Sequence, residues 1–236
     1  MTGYSLPATA RLRWSEPHYS VVAMPTLLQL DSSADLGQSY SRNITASFAD
    51  AWRALGDDHV VVVRDLHRDQ LPHLESAQLH WPERLRPEGP TPSAGAERLQ
   101  KELIDELLAA DVVLIGAPLY NYSMPSTLKA WIDNIHVPGV TAPFDVDSQP
   151  MAGRPAVIVS SRGGSYDPGT ATADWDHEIP ALRIILGEAL GMQVHMITTS
   201  LTLAATVPAL ADQLERSLEE FASARAAAEE LARTLG

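Results

Sequence analysis

A chain of 236 residues is long enough for one α/β domain with a complete hydrophobic core. Its 30 acidic and 17 basic side chains leave a net charge of −13, which argues against nucleic acid, whose phosphates demand Lys and Arg. Cysteine is absent, so disulfides, thiolate metal sites and cysteine nucleophiles are excluded together and a reducing cytoplasm fits; no apolar run approaches the roughly 20 residues of a membrane span.

Residues 1–23 have neither helix nor strand periodicity and no signal-peptide core, so they are expected to be a disordered extension or to lie upstream of a true start at Met24. From Met24 to Gly236 the pattern alternates strand and helix. Thr26 to Leu30 is the first predicted strand, and Ser41 to Leu55 the first helix, with Ile44, Phe48, Trp52 and Leu55 at helical spacing. His59 to Arg64 holds four consecutive valines and reads as a strand buried on both faces. Leu66 to Ala94 is a long connection with five prolines and Trp81, a length typical of a lid or an interface.

Glu97 to Ala109 is predicted as an amphipathic helix, with Leu99, Leu103, Ile104, Leu107 and Leu108 opposite its charged residues. Val112 to Gly116 is the third strand and Ser126 to Ile135 the helix after it. Ala156 to Ser160 is the fourth strand, followed by a helix over Ile179 to Leu190. Gln193 to Thr198 is the fifth strand, and Pro208 to Leu235 closes the chain as a helix with Leu210, Leu214, Leu218 and Phe221 on one face. Strands and helices in this alternation imply an α/β fold: a doubly wound, five-stranded parallel sheet with helices on both faces.

In such a sheet, ligands bind where loops leave the carboxyl ends of the strands. After strand one comes Asp31 to Asn43, with Ser32, Ser33, Ser39 and Ser41 before or in the first turn of a helix. Hydroxyls and helix-terminal amides hold a phosphate without lysine, although Ser39 or Ser41 equally suits a helix N-cap. The loop matches neither the P-loop nor the dinucleotide fingerprint. After strand three comes Pro118-Leu119-Tyr120-Asn121-Tyr122, whose flat aromatics and peptide groups suit a heteroatom-rich ring, or pack at an edge or interface. After strand four comes Ser160-Ser161-Arg162-Gly163-Gly164, where paired glycines admit a ligand close to the backbone or simply make a tight turn. His177 stands among carboxylates but lacks a second histidine at ligand spacing, so no metal site is expected; His136 either reaches the site or caps its helix. No G-x-S-x-G motif is present.

The serine-rich loop, Ala-Pro-Leu-Tyr-Asn-Tyr at 117–122 and Ser-Arg-Gly-Gly at 161–164 resemble the FMN-dependent NADH:azoreductases, also called FMN-dependent NADH:quinone oxidoreductases. Arg64-Asp65-Leu66, Leu182-Arg183 and Leu186-Gly187 extend the likeness from about Met24 to the final helix. The resemblance implies a flavodoxin-like fold, bound FMN, NADH or NADPH as cosubstrate, and ping-pong two-electron reduction of quinones or azo compounds. It implies that Ser33, Ser39, Tyr40 and Ser41 hold the FMN phosphate, although Tyr40 stands where the family commonly has Gln or a small polar residue. Leu119, Tyr120, Asn121 and Tyr122 would line the isoalloxazine, and Ser161, Arg162, Gly163 and Gly164 would donate toward its pyrimidine edge. It further implies a homodimer with active sites at the interface, where Trp81, Phe144 and Trp175 would cover the flavin. An FMN reductase, a flavodoxin-like electron carrier and a flavin-free binding domain are the readings that the residues alone leave open.

Overall fold

Residues 24–236 are described by a computed structural model, and the expectation for residues 1–23 lies outside the described residues. Five strands form one all-parallel sheet: β1 (Thr26–Asp31), β2 (Val60–Asp65), β3 (Val112–Pro118), β4 (Pro155–Ser161) and β5 (Gln193–Thr199). Their spatial order is β2-β1-β3-β4-β5, so the order reverses between β1 and β3 and opens a crevice outside their carboxyl ends.

Parallel neighbours need crossovers, and the helices divide between the two faces accordingly. Helices α1 (Tyr40–Arg53) and α5 (Leu214–Leu235) cover one face, where Ile44, Phe48 and Trp52 pack on Leu27, Leu114 and Val157. Helices α2 (Ala94–Ala109), α3 (Ser126–Ile135) and α4 (Glu178–Leu182) cover the other, where Leu103, Leu107, Trp131 and Leu182 meet Leu28, Ile115 and Ile158. The helix predicted over 179–190 is interrupted: α4 gives way to a π-helical stretch, Arg183–Ala189.

Two expectations are corrected. The valine-rich β2 is not buried on both faces, because Val62 and Val63 remain 37% and 54% exposed. It is the outermost strand, so the helices centred on the inner strands leave it partly open, and its valines satisfy strand geometry more than burial. The closing helix begins as a 3₁₀ turn over Pro208–Gln213, and Leu214 and Leu218 are exposed. Its buried stripe is instead Ala224, Ala228 and Ala232, at intervals of four residues. Small side chains let α5 lie close against α1, which is the packing that decides the face.

The long 66–94 connection folds onto the domain. Leu79 is buried, and Gln100 Nε2 donates to the carbonyls of Leu79 and Asn134 at 2.7 and 3.2 Å. Arg84 pairs with Asp145 at 2.7 Å, and Trp81 meets Phe144 edge-on at 5.1 Å between ring centres. Among the described residues, no helix is long and apolar enough to cross a membrane. Replacing Ala228 by Leu should overpack the α1–α5 seam and cost about 1–3 kcal/mol in urea unfolding, whereas Leu218→Ala should cost far less.

Candidate functional site

The loop after β1 is anchored before any ligand is considered. Ser32 donates both its amide and its hydroxyl to the Gly116 carbonyl, at 3.2 and 2.7 Å, which ties the loop to β3. Arg42, in the first turn of α1, donates through Nε and Nη2 to the Ser33 carbonyl at 3.2 and 2.7 Å. The same guanidinium grips Asp65 at the end of β2 through two bonds of 2.7 and 2.8 Å. Burial alone would raise the Asp65 pKa, but the hydrogen bonds and charge of Arg42, with the amides of Arg68 and His67, hold it near 2.

Beneath this loop lies the buried Asp31, which accepts Thr45 Oγ1 and Gln29 Nε2 at 2.7 and 2.8 Å. Burial pushes its carboxyl up despite those two hydrogen bonds. A Cβ on Gly116 would stand 2.8 Å from Asp31 Oδ1, so the strand needs glycine there. Ser39 is the N-cap of α1, its Oγ accepting the Arg42 amide at 3.3 Å and lying 3.1 Å from Ser41 Oγ. Geometry thus realises the capping role, and it leaves the amides of Tyr40 and Ser41 without intrahelical partners at the positive end of the helix.

The loop after β3 is a tight two-residue reversal. Tyr120 and Ser123 exchange amide-to-carbonyl bonds of 2.9 and 3.0 Å, and both Asn121 and Tyr122 have left-handed backbones, φ 49° and 70°. A tyrosine in that conformation costs on the order of 1–2 kcal/mol, so the surroundings must impose it. They do so through the His177 amide, which donates to the Tyr122 carbonyl at 2.9 Å, and through Trp175, edge-on to the Tyr122 ring at 5.3 Å. The Tyr120 hydroxyl crosses to the first loop, accepting the Ala34 amide at 3.1 Å and sharing a 3.3 Å contact with Ser33 Oγ.

The loop after β4 is laced to a fourth loop that the sequence reading did not single out. The amides of Leu201, Thr202 and Leu203 donate to the carbonyls of Gly164, Arg162 and Gly163 at 3.3, 3.0 and 3.4 Å. A Cβ on Gly163 would fall 2.8 Å from Leu203 Cδ1, so a larger residue there would displace the Leu203 side chain. The signal for this loop was its position between strand and helix, since Ser200 to Thr206 carries no charge, glycine or aromatic group.

These loops enclose a groove of about 610 Å³, within the range of small-molecule sites. Ser33, Ser39, Tyr40, Leu119, Tyr120, Ser161 and Gly163 all border it. Thr202, Leu203, Leu218 and Phe221 complete the wall, with the rings of Tyr40 and Phe221 centred 4.6 Å apart. The exposure of Leu218 is therefore the groove's apolar wall.

Of the residues that the resemblance assigns to FMN, five do not line the groove, and neither do Trp81, Phe144 and Trp175. Ser41 is buried beneath Ser39, Asn121 and Tyr122 form the tip of the reversal, and Gly164 lies beyond Gly163 with open space where a side chain would be. Arg162 turns its guanidinium away to Asp176 at 2.7 Å and over the Tyr166 ring at 5.7 Å, while its amide donates to the Thr199 carbonyl at 2.9 Å. Among the described residues, no lysine or arginine borders the groove, so an anion there would rely on hydroxyls and amides. One carboxylate, Asp35, stands on the rim and accepts the Gly37 and Gln38 amides at 2.9 and 2.8 Å, which hold its pKa down. His136 caps the end of α3, donating its amide to Ile132. Among the described residues, no group of three or more His, Asp or Glu could hold a metal ion.

Residues 25–228 match the family described by a flavodoxin-like fold. An FMN-dependent NADH:quinone oxidoreductase of Kineococcus radiotolerans is 58% identical over 212 residues, covering 90% of this chain and 100% of that protein. The chain belongs to the FMN-dependent NADH:quinone oxidoreductase family. A relative of the same name from Frankia casuarinae is 41% identical over 208 residues, covering 85% of this chain and 97% of the relative. Among solved structures, the azoreductase from Bacillus anthracis str. Sterne superposes with a TM-score of 0.74 at 17% identity, over 89% of this chain and 100% of that one. The FMN-dependent NADH-azoreductase from Bacillus anthracis str. Ames Ancestor, in complex with FMN, gives 0.71 at 20% identity, over 89% and 99%. At these identities the structural likeness concerns the fold.

The Arg42 clamp carries a pH-dependent prediction. Because the folded Asp65 pKa lies below its ordinary 3.8, its contribution is full above about pH 4 and is lost as pH falls through about 2. Arg42→Ala should lower unfolding stability at pH 7 by about 2–4 kcal/mol and shrink that acid-side loss, leaving the part due to the Arg68 and His67 amides, as read from urea titrations at several pH values.

Proposed function

We propose that this chain is an FMN-dependent NADH:quinone oxidoreductase that also reduces azo compounds, with residues 24–236 forming its FMN-binding domain. One observation carries the reading: at the sheet's switch point, the capped start of α1, the Tyr120 reversal and the side-chain-free Gly163 border one groove. The donor set fits FMN. A hydroxyl and amide end suits a phosphate, a tyrosine-rich peptide wall suits a flat ring, and a glycine lip admits the ring edge.

In this reading Ser33, Ser39, Tyr40 and Ser41 hold the phosphate, Tyr40 and Ser41 through their amides. Ser41 contributes no side chain, since its hydroxyl is buried against Ser39. Leu119 and Tyr120 flank the isoalloxazine from the groove wall, with Asn121 and Tyr122 at the tip of the same reversal, and Ser161, Arg162, Gly163 and Gly164 form the loop at its pyrimidine edge. Because the Arg162 amide is engaged with Thr199, the amides of Gly163 and Gly164 are the donors left to that edge. Bound FMN would supply the electron chemistry, taking two electrons from NADH or NADPH and delivering them to the acceptor in a separate step. Amides aimed at the edge where negative charge develops favour that reduction, and no side-chain acid is required when solvent delivers protons.

The relatives' names supply the substrates, and the exposed aromatics Tyr122, Trp175 and Phe144 suit flat, apolar acceptors. The same exposed rings, with the folded 66–94 connection, support a homodimer whose partner completes the site. The absence of cysteine is compatible with a cytoplasmic setting.

An anaerobic spectrum tests the activity: NADH should bleach bound FMN, and a quinone should restore the colour. Bound flavin that NADH cannot reduce would instead mark an electron carrier. Titration by flavin fluorescence tests the site. Ser39→Ala should weaken FMN binding roughly tenfold while leaving the weaker binding of riboflavin, which lacks the phosphate, nearly unchanged.

A further inference from the structure

The loop after β4 rests on a buried carboxyl group that the mechanism above does not use. Glu178, the first residue of α4, has no exposed surface. Its Oε2 accepts the Ser160 hydroxyl at 2.5 Å, and its Oε1 meets no hydrogen-bond partner among the described residues. The charged groups around it are Arg162 and Asp176, which pair with one another through Arg162 Nη2, while Arg162 Nε is buried with no partner among the described residues. Asp176 takes Arg162 Nη2 on one oxygen and the amides of Glu178 and Ile179 on the other, at 2.9 and 3.1 Å. An ionised Glu178 would therefore be a second carboxylate beside a guanidinium already paired with Asp176, with an oxygen that no donor among the described residues reaches. Burial, reinforced by the charge of Asp176, pushes its carboxyl up to about 8 against the Ser160 hydrogen bond and the Arg162 charge.

Ser160 immediately precedes Ser161 and Gly163, which border the groove, and Arg162 lies between them in sequence. We propose that Glu178 is a positioning residue for the redox site: as a neutral acid it fixes Ser160 and the end of β4, and once ionised it sets a negative charge behind the Ser161–Gly164 loop that opposes flavin reduction. The inference rests on the FMN reading above. Electrons pass from NADH to the acceptor without involving Glu178, and any proton it gains comes from solvent. Linkage fixes the sign. If ionised Glu178 disfavours added negative charge on the flavin, flavin reduction must raise the affinity of Glu178 for a proton.

The test is a spectroelectrochemical titration of the FMN-loaded protein from about pH 6 to about pH 9.5, with Glu178→Gln and Ser160→Ala alongside the parent. The parent potential should fall more steeply above about pH 8, by the increment of one further proton per two electrons, then run parallel to and below that of Glu178→Gln. Glu178→Gln, which is neutral at every pH, should lack the break. Ser160→Ala keeps the carboxyl but loses the bond that favours its ionised form, so its break should move to higher pH; this variant decides the matter if Glu178→Gln fails to fold. Identical pH profiles for the parent and Glu178→Gln, or an unmoved break in Ser160→Ala, would overturn the inference. A parent protein that does not bind FMN, or whose FMN is not bleached by NADH, would overturn the functional reading itself.

Discussion

Because β1 pairs in parallel with both β2 and β3, every strand must return to the same starting edge of the sheet through a connection that crosses one of its faces. The loops at the opposite, carboxyl edge are then all brought together, although they are spread from Asp31 to Thr206 in the chain. The strand order reverses between β1 and β3, so the connections leaving these two strands go to opposite faces and part above the sheet. The groove is the space this parting leaves. Its width follows from backbone topology, and its lining from the few side chains that hold the loops in place.

Those side chains act mainly on backbone. Arg42 grips the Ser33 carbonyl and the Tyr120 hydroxyl takes the Ala34 amide, while the backbone amides of Leu201 to Leu203 bond the carbonyls of Arg162 to Gly164. Each link joins loops that are adjacent around the groove, so the site is organised by cross-loop hydrogen bonds before a ligand enters it. Preorganisation of this kind lowers the ordering cost of binding. It also accounts for the strained Asn121-Tyr122 reversal, whose unfavourable backbone is held from both sides.

Charge follows the same economy. The chain is strongly acidic, yet two carboxylates near the groove are paired locally, Asp65 with Arg42 and Asp176 with Arg162, while Asp35 stays ionised on the rim and is hydrogen-bonded by two loop amides. Asp31 and Glu178, which are buried without a dedicated cation, have their carboxyls pushed toward the neutral form instead. What remains at the groove, apart from Asp35 on its rim, is a field of hydroxyls and amides suited to an anionic ligand, with no lysine or arginine beside it among the described residues.

The sequence by itself determined the elements and their order, because strand and helix periodicity are local properties written in consecutive residues. It also brought out three of the four loops, through serines, tyrosines and glycines whose backbone preferences are intrinsic. Only the tertiary structure decided which surfaces those elements cover. The valines of β2 read as fully buried until the strand order made them an edge, and the apolar face through Leu218 is the groove wall while an alanine stripe packs against α1. The direction of Arg162 depends on Asp176, 14 residues away, and the neutrality of Glu178 on its burial beneath the β4 loop. The featureless Ser200–Thr206 loop gained its place from its hydrogen bonds to residues 162–164. Burial, pairing and side-chain direction are set by neighbours distant in the chain, and a single sequence records which residues are compatible with such neighbours without recording where they are.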